Sequence, residues 1–238
     1  DITYGDAEWV AIRPGTDDAF LSALINEMLR TNTADLDFIE KGTNGAYLIK
    51  ENGQPLTQAE VIQGGDKTKY VVASPDGRLS FRGVLRNDKG IPTAFDEDSS
   101  FKADLNMSGS VKLADGSSCP VKTAFVIIKE TLAPYTPEKS SEITGIPADM
   151  IRRIARDFTK GVIDDGWYTS KNGTDVQVYR LVSIANAFNG NIDIPGGMIV
   201  TAAAGLKIPS VSQGKGPNGE TWRMAKEKRI DKIIYPEA

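Results

Sequence analysis

Between residues 41 and 121 this chain is dense in Gly, Asp, Ser and turn pairs, while both flanks carry amphipathic helical spacing. No one period serves both textures, so the fold has to combine helices with strands. Upstream, "WVAIRPGTDDAFLSALINEML" (residues 9–29) leads an apolar strand candidate, Trp9 to Ile12, into Pro14-Gly15-Thr16-Asp17. Phe20, Leu21, Leu24, Ile25, Met28 and Leu29 then fall on one helical face. The spacing predicts a helix from Asp17 or Asp18 to Leu29, capped by Thr16 or Asp17.

The middle stretch reads as a small, β-rich, loop-rich insertion. "TKYVVASPDGRLSFRGVL" places two strand-like runs around Pro75-Asp76-Gly77, a hairpin signal, and Asn44-Gly45 and Asn52-Gly53 mark further turns. Helical signals resume at Lys122 to Ala133. Thr136 then reads as an N-cap, Pro137 as the first helical residue and Gly145 as a stop. "IPADMIRRIARDF" puts Ile146, Met150, Ile151, Ile154, Ala155 and Phe158 on one face. "GVIDDGWY" is a strand candidate. A helix from Thr174 to Asn189 opens on a capping box, Thr174 with Gln177, buries Leu181, Ile184, Ala185 and Phe188, and closes at Gly190. Residues 205–221 read as loop and "WRMAKEKRIDKII" as a weak charged helix.

Strand–helix pairs at both ends predict an α/β fold with layered, parallel, Rossmann-like elements interrupted by the insertion. The expected divisions are 1–40, the strand–helix end of an α/β domain; 41–121, the insertion; 122–204, a second α/β segment; and 205–238, loop and weak helix.

Composition excludes several chemistries. The 238 residues include no histidine and one cysteine, Cys119, so Ser-His-Asp and Cys-His catalysis and His-ligated zinc are ruled out within the chain. A lone cysteine cannot hold an iron–sulfur cluster. The net charge of -4 and the lack of a basic stripe argue against nucleic acid, and no apolar run is long enough to span a membrane. The chain starts at Asp1 without Met or a signal-peptide pattern, which reads as a cut from a longer protein. Two motifs carry nothing: "GKGPNG" (214–219) matches G-x-G-x-x-G but lacks a clear preceding strand, and Asn106-Met107-Ser108 and Asn172-Gly173-Thr174 are chance-level glycosylation patterns. Asp35, Asp37, Asp96, Glu97 and Asp98 fit no cation-loop spacing and read as a solvated acidic surface.

The Pro14–Asp17 turn has two readings. A Thr or Asp there is explained by capping alone. A strand end leading into a helix start is also the ligand-facing edge of an open α/β sheet. An aspartate there suits guanine, because its two oxygens can accept from the ring N1–H and the exocyclic amine together, and adenine offers no such pair.

Three blocks, residues 9–29, 135–158 and 166–197, together about a third of the chain, resemble in sequence and order the large catalytic subunit of the molybdopterin oxidoreductases. This is the superfamily of dimethyl sulfoxide reductase, periplasmic nitrate reductase and formate dehydrogenase. The insertion and "VKLADGSSCPVKTAFVIIKETLAPYTPE" look nearest to the thiosulfate, polysulfide and related sulfur- or arsenic-compound reductases. The resemblance implies two molybdopterin guanine dinucleotides (bis-MGD) around one molybdenum, held by two α/β domains. It carries guanine contacts onto Gly15, Thr16 and Asp17, and a second contact region onto Asp165, Trp167, Thr169, Ser170, Lys171, Asn172 and Gly173. Several relatives have Met and Gln where this chain has Asp165 and Thr169.

Neither the cysteine-rich segment nor the molybdenum-ligand segment of that family aligns here. No catalytic and no metal-ligating residue is therefore assigned, and the isolated chain is expected to be inactive, without cluster or tightly held molybdenum. By resemblance, the parent enzyme reduces a small sulfur or oxyanion compound in anaerobic respiration. Its partners are an iron–sulfur electron-transfer subunit together with the rest of the catalytic subunit. Its place is periplasmic or exported, membrane-associated only through partners, in a bacterium or archaeon. The alternative is a stand-alone α/β module for another nucleotide or small ligand, without redox chemistry.

Overall fold

The computed structural model describes residues 8–86, 92–96, 98–158, 175–192, 194, 213–215 and 221–223. The chain divides into two compact units, 1–199 and 200–238. In the first, the described helices are α1 (Asp17–Arg30), α2 (Leu36–Gly42), α3 (Gln58–Val61), α4 (Ala124–Leu132), α5 (Pro137–Thr144), α6 (Ala148–Phe158) and α7 (Asp175–Phe188). The strands are β1 (Leu48–Lys50), β2 (Lys69–Ala73), β3 (Leu79–Arg86), β4 (Pro92–Asp96), β5 (Ser108–Lys112) and β6 (Ser118–Thr123).

Helix α1 is the hub of the helical part. It packs against α4, α5, α6 and α7, and Leu24, Ile25 and Met28 lose all but at most 1% of their exposure. Burial on that scale stabilises by about 1.5–3 kcal/mol per side chain. The helix stops in a Schellman motif: Asn32 takes φ 54°, its N–H donates to Leu29 O, and Thr33 N–H donates to Met28 O. Helix α5 follows its local signals closely. Thr136 Oγ1 accepts from Lys139 N–H, Pro137 opens the helix, and Gly145 closes it at φ 80°. Helix α6 buries Ile151, Ala155 and Phe158, and α7 buries Ala185 and Phe188, as their spacing predicts. The cap residue Thr174 lies outside the described residues, so the capping box with Gln177 is not described.

The strands form two three-stranded sheets, ordered β1-β6-β5 and β2-β3-β4. Strand β2 lies between two cores. Val71 and Ala73 pack with Leu48, Leu56, Phe81, Val111 and Val121, whereas Val72 points the other way, into the core shared with α1, α4 and α7. That is the period-2 alternation of a strand buried on both faces. Pro75-Asp76-Gly77 closes the β2–β3 hairpin, Ala73 facing Leu79, with Gly77 at φ 83°. The loops are held by short carboxylate bonds. Asp66, Asp98 and Asp115 each accept from the N–H and the hydroxyl of the residue two further on, Thr68, Ser100 and Ser117. These bonds hold the three carboxyls below the usual carboxylate range.

Four expectations are corrected. The parallel, Rossmann-like sheet is not found: every described strand pair is antiparallel. Trp9 to Ile12 is not a strand. Val10 and Ile12 pack on Ala23, Ile146 and Ile151, but Trp9 is 89% exposed and no described strand pairs with the segment. The second strand needed for a parallel pair, in 161–168, lies outside the described residues. The helix expected from Lys122 starts later, because Lys122 and Thr123 belong to β6, where they pair with Ile49 and Leu48; Thr123 Oγ1 caps α4 instead. In the second unit, Gln213–Lys215 and Thr221–Arg223 form an antiparallel hairpin, β7 and β8, where a loop and a helix start were expected. The Pro-Asn-Gly between them is a turn sequence that joins two strands as readily as it makes a loop. No helix among the described residues is long and apolar enough to cross a membrane.

Candidate functional site

The turn before α1 is built from Arg13 to Thr16. Pro14 occupies the second position, where its fixed φ fits, and Gly15 the third at φ 78°, the left-handed value that a type II turn demands. The Thr16 hydroxyl closes the turn by donating to Arg13 O at 2.7 Å. A Cβ placed on Gly15 would meet no described atom within 4 Å, so among the described residues the outer side of the turn is open.

Thr16 sits at the N-cap position, but its side chain makes no capping bond, since the hydroxyl is committed to Arg13. This corrects the expectation that Thr16 or Asp17 caps the helix. Among the described residues the one side-chain bond to this helix end comes from Asp18, whose Oδ1 accepts from Ala19 N–H at 2.8 Å. Asp17 is the first helical residue and is partly exposed. Among the described residues nothing donates to its carboxylate and no cation pairs with it.

The turn is anchored on a distant part of the chain, which sequence reasoning missed. Arg13 N–H donates to Thr144 O at 2.9 Å, and Arg13 Nη1 reaches Glu142 O at 2.6 Å and Ile143 O at 3.1 Å. Three successive carbonyls at the end of α5 thus have a donor from one residue. A cation there also meets the negative end of the α5 dipole. Ser140, fully buried, ties α5 to the helix behind the turn through its hydroxyl, which donates to Ala19 O at 2.8 Å. Two of the three sequence blocks, 9–29 and 135–158, therefore meet at this turn. No local signal marks Arg13; only the pairing across 129 to 131 residues makes it visible.

The other predicted contacts, Asp165, Trp167, Thr169, Ser170, Lys171, Asn172 and Gly173, lie outside the described residues. Of the acidic residues considered as a cation site, Asp35 Oδ1 caps α2 through Phe38 N–H, Asp37 lies 3.6 Å from Lys102, Asp96 faces Arg82 and Asp98 accepts from Ser100, while Glu97 lies outside the described residues. Among the described residues no cluster of His, Cys, Asp or Glu could hold a metal ion.

No family model matches the chain. Curated relatives do. It is 30% identical over 224 residues to a sulfite dehydrogenase subunit of Allochromatium vinosum, covering 88% of this chain and 22% of that one. It is 27% identical over 172 residues to the alpha subunit of the perchlorate reductase of Dechloromonas aromatica, covering 63% and 18%. It is 30% identical over 208 residues to a tetrathionate reductase subunit of Archaeoglobus fulgidus, covering 84% and 18%. The chain thus spans about a fifth of the length of these relatives. Similarity of this extent, along a chain that already resembles that family in three ordered blocks, places it in the molybdopterin oxidoreductase superfamily of the dimethyl sulfoxide reductase type, as a segment of a catalytic subunit.

Proposed function

We propose that this segment contributes a guanine-binding turn for molybdopterin guanine dinucleotide in the catalytic subunit of an oxidoreductase acting on a small sulfur or oxyanion compound. The observation that carries the reading is the carboxylate of Asp17, which no described group engages, beside a glycine turn whose outer side is open. The residues present fit a guanine. Asp17 can accept from N1–H and the exocyclic amine together, and Gly15 lets the backbone approach the base without a Cβ in the way. They do not fit a phosphate. A helix start carries roughly half a positive charge, and Asp17 and Asp18 bring two full negative charges to it.

The bound cofactor's molybdenum would supply the redox chemistry; the residues here bind and orient. The carboxylate fixes which base is held, the type II turn bounds where it is held, and α1, packed on four helices, gives Asp17 a firm base. The segment 165–173 is proposed as a second cofactor contact. A bis-MGD arrangement, the likeness to thiosulfate and polysulfide reductases, a periplasmic or exported location and an iron–sulfur partner subunit belong to the same proposal. They rest on the resemblance and on relatives named as sulfite, tetrathionate and perchlorate enzymes.

The test is Asp17→Asn in the full-length catalytic subunit. The variant presents an amine to guanine's own donors and loses a charged bidentate contact, worth about 1.5–3 kcal/mol for hydrogen bonds to a charged group. Asp17 makes no capping bond, so α1 is left as it was. Normal folding with reduced release of guanine nucleotide on denaturation is expected. Full release from the variant overturns the reading.

A further inference from the structure

Asp17 opens α1, but a base reaches its carboxylate only beside the turn Arg13–Thr16 that precedes it, and apart from the packing of Val10 and Ile12 upstream that turn has few contacts to hold it. Its outer side is open, the Thr16 hydroxyl bonds within the turn rather than to a neighbour, and the segment before it belongs to no described ladder. Besides the bond from Phe20 N–H to Thr16 O at the start of α1, Arg13 makes the polar bonds that tie the turn to the rest of the described residues. Arg13 donates its backbone N–H to Thr144 O and its guanidinium to Glu142 O and Ile143 O, while its own carbonyl accepts from Thr16. Its stem lies along Gly145, where a Cβ would come within 3.4 Å of Arg13 Nε. The α5 end is in turn locked to α1 by buried Ser140. The turn, the end of α5 and the first part of α1 thus form a closed ring of bonds, and Arg13 is the member that holds the turn in its place beside Asp17.

We propose that Arg13 is a positioning residue for nucleobase recognition, acting through Asp17; this rests on the guanine reading above. The geometry separates positioning from simple stabilisation. The Arg13 side chain is exposed, so water replaces it readily at the α5 carbonyls, and the remaining Thr144 bond keeps the chain course. Removing it is expected to leave the fold intact while freeing the turn to wander. Lysine keeps a cation at the helix end but lacks the rigid planar fork that spans two carbonyls.

The experiment uses the full-length catalytic subunit with Arg13→Ala, Arg13→Lys, Asp17→Asn and the Arg13→Ala/Asp17→Asn double variant. Two quantities are read: the thermal midpoint, and guanine nucleotide released on denaturation per mole of protein. The expected result is about a tenfold loss of retained guanine in Arg13→Ala, a partial loss in Arg13→Lys, and midpoints equal to that of the unaltered protein. The double variant should retain as much as Asp17→Asn alone, because Arg13 acts only through that contact. Arg13→Ala retaining full guanine while Asp17→Asn loses it overturns the role of Arg13 and leaves the guanine reading standing. So do additive losses in the double variant, or losses that track a falling midpoint. Full retention in Asp17→Asn overturns both.

Discussion

Arg82 is the most consequential buried charge described, and its removal tests how the β-rich stretch is fastened to the helices. Arg82 lies on β3 with its side chain 7% exposed, and Glu40, on α2, is 3% exposed. Arg82 Nη2 lies 2.9 Å from Glu40 Oε1 and donates to Phe101 O at 2.8 Å, and Nη1 donates to Glu40 O at 2.8 Å. Glu40 Oε1 also accepts from Ala103 N–H at 2.9 Å. Arg82→Met keeps most of the stem's volume but leaves two buried carbonyls without donors and the Glu40 carboxylate without its cation. Breaking one side of such a pair costs about 3–5 kcal/mol. Arg82→Met is therefore expected to lower the free energy of unfolding by about 3–5 kcal/mol. Urea unfolding of both proteins at pH 7 measures it. A loss below about 1 kcal/mol refutes the claim that Arg82 fastens β3 to α2.

Two further outcomes are expected. Glu27 is buried in α1, and its hydrogen bonds to Arg30, at 2.6 and 2.7 Å, hold its carboxyl below the usual 4.5. Its folded value is depressed, so its stabilising contribution is complete above about pH 4.5 and fades as pH falls through the folded value; Glu27→Gln should flatten that acid limb in urea titrations, and an unchanged limb refutes it. Gly190→Ala should destabilise by about 2–3 kcal/mol. Gly190 sits at φ 66°, and a Cβ there would come within 2.5 Å of Asp35 Oδ2, part of the carboxylate that caps α2, so left-handed strain adds to a lost cap. A change in the thermal midpoint smaller than that of Asp35→Ala alone would contradict this.

What can be read from the sequence is whatever local chemistry decides. Thr136, Pro137 and Gly145 each act within one helical turn of their own position, and α5 begins and ends on them. Asp17 to Leu29 announces α1 through spacing alone, one residue short of its observed end. What stays hidden depends on partners far along the chain. Thr123 reads as helical because apolar residues follow it, yet pairing with Leu48 draws it into β6. The run at Trp9 has the composition of a strand, but a strand needs a neighbour, and none is described beside it. Thr16 is a capping residue by type, and the nearby Arg13 carbonyl takes its proton instead. The turn before α1 is thus legible as a place, while the clamp that holds it is not.

The distance in sequence between Arg13 and Thr144 also sets an order of events during synthesis. At roughly 5–20 residues per second, the carbonyls that anchor the turn leave the ribosome on the order of ten seconds after the turn itself. All of β1 to β6 emerges in that interval, and β2 with β3, joined by a tight hairpin, has everything it needs to pair without waiting. The turn precedes these strands in the chain and receives its anchor after them. A nascent chain stalled before residue 142 would carry the turn without the three carbonyls that anchor Arg13.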